Sequence, residues 1–229
     1  MNDSAPSFSA LLQAPHSGIH YRIRPVAEGT ASGRLLLLHG VGSNERGMIA
    51  LADSVPANIE VLVLQAPLAI GPEQFAWFQV SFTANGPIIN APQAEQSRRQ
   101  LIELIVELRD RDADRPVPVV IAGFSQGGIL SASVGLSAPT QVLGFGLLSG
   151  RILPELAEHL APAAELATVQ AFIAHGRLDN KLPLFWAERA ENWLAELGVP
   201  HQTHLYDIGH ELSAAVVADF NHWLSERFM

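Results

Sequence analysis

Apolar positions in this chain fall into short continuous runs, separated by longer stretches with helical spacing. Residues 34–39 read Arg-Leu-Leu-Leu-Leu-His, and residues 59–64 read Ile-Glu-Val-Leu-Val-Leu. Runs of this kind suit strands covered on both faces in a parallel sheet. Residues 117–124, 142–148, 169–174 and 201–206 read as further strands, and residues 19–24 alternate like an edge strand. Between these runs, residues 46–55, 94–111, 126–136, 183–197 and 211–227 read as helices. The clearest is 94–111, where Leu101, Leu104, Ile105 and Leu108 recur on one face. Pro183 suits a first helical turn, and Gly198 ends the same element. Strands alternate with helices almost throughout. The pattern predicts an α/β fold, a mostly parallel central sheet with helices on both faces.

Two segments stand outside this alternation. Residues 1–18, rich in Ser, Ala and Pro, read as a loosely held N-terminal arm with a short helical turn at 8–12. Residues 19–229 read as one domain. Residues 67–92 read as a long segment without secondary structure, carrying Phe75, Trp77, Phe78 and Phe82. Long loops of this kind are usually functional or mobile. Aromatic residues suit the wall or cap of an acyl or aryl pocket, although any single aromatic more often anchors a loop to the core.

Composition narrows the function. With 229 residues, 48% of them hydrophobic and 16% charged, the chain can bury a large core. Lys+Arg 14 against Asp+Glu 23 gives a formal net charge of −9, with no basic cluster. Nucleic acid and anionic membrane surfaces are therefore poor partners. The chain has no cysteine, which excludes disulfides, zinc-thiolate sites and a cysteine nucleophile. No apolar run approaches the length of a membrane span, and the first residues do not read as a signal peptide, so the cytoplasm is the expected compartment. Dinucleotide and triphosphate glycine motifs are missing from their expected places.

The chemistry concentrates at the ends of the strands. The strand at 117–124 runs into Gly123-Phe124-Ser125-Gln126-Gly127-Gly128, followed by a small, apolar helical segment. This is G-x-S-x-G in the strand–turn–helix setting of a nucleophile elbow. Gly40-Val41-Gly42 after the strand at 34–39 can curl so that backbone N–H groups face a cleft; alone it reads as an ordinary turn. A serine hydroxyl needs a base in contact with it. His210 follows the last strand in a glycine-containing loop and is the candidate. His39 and His175 end strands and read as structural, while His201 and His204 point to opposite faces and cannot share a metal. The base needs a carboxylate to fix its tautomer. Asp179 follows a strand end and a glycine turn; Asp207 lies too close to His210 in the chain for an easy reach to its ring. Ser125, Asp179, His210 is the chain order of α/β-hydrolases.

Leu38-His39-Gly40-Val41-Gly42, Ala76-Trp77-Phe78, Gly123-Phe124-Ser125-Gln126-Gly127-Gly128, His175-Gly176 with Asp179, and Gly209-His210-Glu211 together resemble the phospholipase/carboxylesterase family. That family includes bacterial carboxylesterases and acyl-protein thioesterases. The resemblance covers the chain from about residue 34 onward. It implies the α/β-hydrolase fold, with Ser125 as nucleophile, Asp179 as acid and His210 as base. It also implies an oxyanion hole from the backbone N–H groups of Val41 and Gln126, and neither cofactor nor metal. Gln79 stands where the family often has an acidic residue, and Asn180-Lys181-Leu182-Pro183 where valine-proline is common. Trp77, Phe78, Phe82 and Leu182 are the expected pocket residues. The expected activity is a serine carboxylesterase acting on a small-molecule ester or acyl substrate, as a monomer or homodimer. The alternatives are a thioesterase or lysophospholipase, or a hydrolase-fold binding protein without turnover.

Overall fold

The structure is a computed structural model that describes residues 7–83 and 86–229, without the side chains of residues 82–87. In chain order the elements are β1 (Leu12–Gln13), β2 (His20–Arg24), β3 (Gly33–Leu38), α1 (Ile49–Ser54), β4 (Ile59–Gln65), β5 (Leu68–Gly71), β6 (Gln74–Ala76), β7 (Val80–Thr83), β8 (Gly86–Ile89) and α2 (Ala91–Arg111). There follow β9 (Val119–Phe124), α3 (Gln126–Ser137), β10 (Gly144–Leu148), α4 (Ala163–Leu166), β11 (Gln170–Gly176), α5 (Phe185–Glu196), β12 (His201–Tyr206) and α6 (Ala214–Arg227). The main sheet has 8 strands in the order β1-β2-β4-β3-β9-β10-β11-β12. From β4 to β12 neighbouring strands run parallel, whereas β2 joins β4 antiparallel and β1 joins β2 antiparallel. This is the mostly parallel, helix-flanked sheet expected from the alternating pattern.

The continuous apolar runs have a direct cause. In β3, Leu36 and Leu38 join one core with Leu101, Leu104 and Leu108 of α2 and Leu130 of α3. Leu35 and Leu37 point the other way, to Leu51 of α1 and Phe220, Trp223 and Leu224 of α6. Both faces are covered, so no polar alternation survives. Helix α3 is buried along nearly its whole length, from Gln126 to Leu136. Its serines are satisfied internally: Ser131 Oγ donates to the Gly146 carbonyl at 2.6 Å, and Ser133 Oγ to the Ile129 carbonyl at 2.8 Å.

Two segments differ from expectation. No helical turn forms at residues 8–12; β1 pairs there with β2, and Ser9 N–H donates to the Ile23 carbonyl at 2.9 Å. Further on, the Ser17 N–H and hydroxyl both donate to the Glu107 carboxylate of α2. The described part of the N-terminal arm is thus tied to the sheet edge, because its backbone finds partners that a free coil leaves to water. Residues 67–92 are not structureless either. They hold two hairpins, β5–β6 and β7–β8, and end in the first turn of α2. Among the described residues no helix is long and apolar enough to cross a membrane.

Candidate active site

The parallel strands β3, β9, β11 and β12 deliver their carboxyl ends to one edge of the sheet, where open α/β folds place ligands. Ser125 follows β9 with φ 55° and ψ −115°, a region that non-glycine residues seldom adopt. Its N–H donates to the Leu148 carbonyl of β10 at 2.8 Å, and its carbonyl accepts from Ile129 at 3.1 Å. The glycines on either side make the turn sterically possible. A Cβ on Gly123 would lie 2.4 Å from the Gly127 carbonyl carbon, and one on Gly127 would lie 2.3 Å from the Leu38 oxygen.

Asp179 and His210 arrive on two loops fastened to each other. The Arg177 N–H donates to the Tyr206 carbonyl at 2.7 Å, and the Leu178 N–H to the Ile208 carbonyl at 3.0 Å. A Cβ on Gly176 would meet the Gly209 oxygen at 2.3 Å, so only glycine lets the loops close this far. The structure therefore brings Ser125, His210 and Asp179 into one chain of hydrogen bonds. His210 Nδ1 lies 2.6 Å from Asp179 Oδ2, and His210 Nε2 lies 3.0 Å from Ser125 Oγ. A carboxylate oxygen can only accept, so Nδ1 carries the hydrogen and Nε2 presents its lone pair to the hydroxyl. The Phe124 ring, 4.8 Å from the imidazole between centroids, limits where the histidine can swing.

Asp179 is buried, and its Oδ1 accepts from the N–H groups of Lys181 and Leu182, each at 2.8 Å. Burial pushes its pKa up. The His210 hydrogen bond and the two backbone donors outweigh that and hold it below the ordinary aspartate value. Asp207 is no rival in this structure: its side chain is 88% exposed and faces Arg177.

The other strand-end histidines are structural. His39 Nδ1 donates to the Gly40 carbonyl at 2.7 Å, and its Nε2 accepts from Ala66 N–H at 3.0 Å. Burial lowers its pKa, against the opposing pull of the Gly40 carbonyl and Glu45. His175 is buried and donates from Nε2 to the Leu182 carbonyl at 2.7 Å, bracing the loop that carries Asp179. Among the described residues no group of three His, Asp or Glu side chains is placed to hold a metal ion.

A cavity of about 290 Å³ opens over Ser125 and His210. Val41 and Gln126 lie at its wall beside the serine. The Gln126 N–H is the first of α3, where no preceding carbonyl of the helix can receive it. The turn holding Val41 is fixed by Gly42 N–H donating to the Phe75 carbonyl at 2.9 Å and Phe75 N–H donating to the Ser43 carbonyl at 2.9 Å. Among the described residues no backbone acceptor takes the Val41 N–H.

Phe78, Val80, Ile89 and Leu182 also line the cavity, so the 67–92 segment does supply part of the wall. Trp77, expected at the pocket, is not part of it. Its ring is fully buried in the core, and Nε1 donates to the His39 carbonyl at 2.9 Å. The Phe82 side chain lies outside the described residues.

Sequence reasoning singled out Gln126 for its backbone and missed its side chain. Oε1 accepts from Trp77 N–H at 2.7 Å, and Nε2 donates to the Phe78 carbonyl at 2.7 Å, clamping the 77–78 segment against the elbow. Gln126→Ala would orphan both buried groups. At about 1–3 kcal/mol per unsatisfied group, a loss of roughly 2–6 kcal/mol is expected, read as a lower urea midpoint. An unchanged midpoint would show that water or a neighbour replaces the clamp.

Arg151 was also missed. It follows β10, is only 8% exposed, and reaches the same cavity. A buried arginine leaves no mark in a hydrophobicity pattern. The signal was its place just beyond a further parallel strand end, in Ser149-Gly150-Arg151.

Known proteins resemble this chain along most of its length. The family model described as Phospholipase/Carboxylesterase matches residues 26–227. Acyl-protein thioesterase 1 of Yarrowia lipolytica is 24% identical over 223 residues, 89% of this chain and 96% of that protein. Carboxylesterase SOBER1 of Arabidopsis thaliana is 26% identical over 207 residues, 84% of this chain and 90% of that protein. The crystal structure of a carboxylesterase from Mesorhizobium loti shares the fold with a TM-score of 0.78 at 19% identity, covering 95% of this chain and 99% of that one. With the match spanning nearly every element from β3 to α6, the chain belongs to the phospholipase/carboxylesterase family of α/β-hydrolases.

Proposed function

We propose that the protein is a serine hydrolase of carboxylic esters, working through an acyl-enzyme intermediate with Ser125 as nucleophile, His210 as base and Asp179 as acid. The observation that carries this reading is the relay from Asp179 through His210 to Ser125, at 2.6 and 3.0 Å, opening into a cavity. Ser125 Oγ attacks the acyl carbonyl while His210 Nε2 takes its proton. Asp179 stabilises the imidazolium that forms. The carbonyl oxygen, now negative, is held by the N–H groups of Val41 and Gln126. His210 then gives its proton to the leaving alcohol. Water, deprotonated by His210, attacks the acyl-serine and releases the acid.

The same steps cleave a thioester, and one of the relatives bears the name acyl-protein thioesterase. The cavity favours a small acyl group, because about 290 Å³ lies just under the usual ligand-pocket range of about 300–1,000 Å³. A panel of 4-nitrophenyl esters and acyl thioesters of rising chain length tests both points. We expect kcat/KM to be highest for short acyl chains and to fall for long ones. No turnover of any ester or thioester, together with no labelling of Ser125 by a fluorophosphonate, would sink the proposal and favour a binding protein.

A further inference from the structure

The cavity has an unusual charge for this chain. Against a net charge of −9, two cations line it, Arg151 and the chain's only lysine, Lys181. Among the described residues no aspartate or glutamate lines it. Lys181 is exposed at the rim, but Arg151 is more than nine-tenths buried. A buried guanidinium normally faces a carboxylate. Among the described residues Arg151 has no hydrogen-bonded acid, and Glu155 acts on it only through space, from an exposed position. Among the described residues its stacking partner is the Trp186 ring, 4.5 Å from the guanidinium carbon to the centroid, a contact that leaves the N–H donors available.

The backbone delivering Arg151 is constrained. Ser149 adopts φ 48°, and a Cβ on Gly150 would lie 3.1 Å from the Ser125 carbonyl oxygen and 2.5 Å from Leu147 Cδ1. Strain of this kind persists where surrounding structure enforces it, and it tends to collect at functional sites. Arginine stays protonated at any working pH, so burial lowers its pKa without discharging it.

We propose that Arg151, assisted by Lys181, binds an oxyanion on the substrate, so that the preferred ester or thioester carries a carboxylate or phosphate near its scissile carbonyl. This deepens the hydrolase reading and rests on it. The anion would replace the missing counter-ion of Arg151 with charge-assisted hydrogen bonds, which a planar guanidinium forms in pairs. An uncharged acyl group would cover those donors without accepting from them.

Three esters locate the anion: 4-nitrophenyl hydrogen glutarate places a carboxylate on the acyl side, the butyrate ester of 4-hydroxybenzoate places one on the leaving group, and the butyrate ester of 4-hydroxyphenyl phosphate places a phosphate there. Each is compared with a neutral ester of matched size. The expected result is a kcat/KM at least tenfold above the neutral match for one of them, carried mainly by KM. Arg151→Met keeps the apolar stem against Trp186 and removes the charge. It should abolish that preference, the anionic ester losing at least tenfold more kcat/KM than its neutral match. Turnover of neutral esters without preference for any anionic one overturns the proposal, and so does an equal loss on both classes in Arg151→Met, which marks a purely structural stack on Trp186. If no ester is cleaved at all, the hydrolase reading fails separately. Calorimetry with glutarate and phenyl phosphate on the intact protein then decides the anion site: saturable binding weakened at least tenfold by Arg151→Met supports it, and no saturable binding overturns it.

Discussion

Ser125→Ala is expected to lower kcat by roughly 10⁴-fold or more, the scale of nucleophile loss in serine hydrolases, while the protein stays folded. The substitution removes one oxygen from a residue whose position is set by its backbone. The Leu148 carbonyl still receives the residue 125 N–H, and the residue 125 carbonyl still receives the Ile129 N–H. The unusual φ of 55° strains alanine about as much as serine, so the melting temperature should shift by no more than a few degrees. Activity responds differently because no other hydroxyl in the relay faces His210 Nε2. Residual turnover would come from the two backbone donors and from substrate positioning, with water as the attacking group. Initial rates on a short 4-nitrophenyl ester, with a fluorophosphonate probe in parallel, measure both parts. Wild-type rates in the purified, folded variant would remove Ser125 from the chemistry and with it the proposed mechanism.

The route from sequence to this site was uneven for physical reasons. The elbow was legible because its constraints are local: Gly123 and Gly127 are needed within five residues of sequence, for contacts the turn itself creates. Asp179 was legible because strand ends in a parallel sheet share one edge, so a carboxylate after β11 can meet a histidine after β12. The two hairpins in 67–92 were hidden because their strands are only three or four residues long. At that length a period-2 pattern barely repeats, and the intervening Gly and Pro read as loop. Trp77 was misplaced for a different reason. An aromatic in a loop has the same sequence signature whether its ring faces a ligand or, as here, carries a hydrogen bond to His39 in the core. The Gln126 clamp and the burial of Arg151 depend on contacts between segments far apart in sequence. Hydrophobic periodicity does not encode such contacts.

The second large effect is expected from Asp179→Asn, which should lower kcat by roughly 10³- to 10⁴-fold on the precedent of other triads that lose this charge. The two oxygens of Asp179 have different tasks. Oδ1 accepts two backbone N–H groups, from Lys181 and Leu182, and Oδ2 accepts the His210 Nδ1 hydrogen. An asparagine has one accepting oxygen, and the two backbone donors claim it. Its NH₂ is then left facing His210, which must accept at Nδ1 and carry its hydrogen on Nε2. That tautomer donates toward Ser125 and cannot take its proton. The variant should therefore bind substrate with little change in KM while the chemical step fails. Stability supplies an independent readout. The folded pKa of Asp179 is held below its unfolded value, so its ionised form stabilises the fold above the unfolded pKa, and that contribution fades as pH falls through the folded one. The stability gap between wild type and Asp179→Asn should accordingly be widest near neutral pH and narrow in acid, as read from urea midpoints across that range. Near-normal kcat in the folded variant would mean that another acid orients His210. The exposed Asp207 would be the first to replace, and a loss of activity in Asp207→Asn would then transfer the role to it.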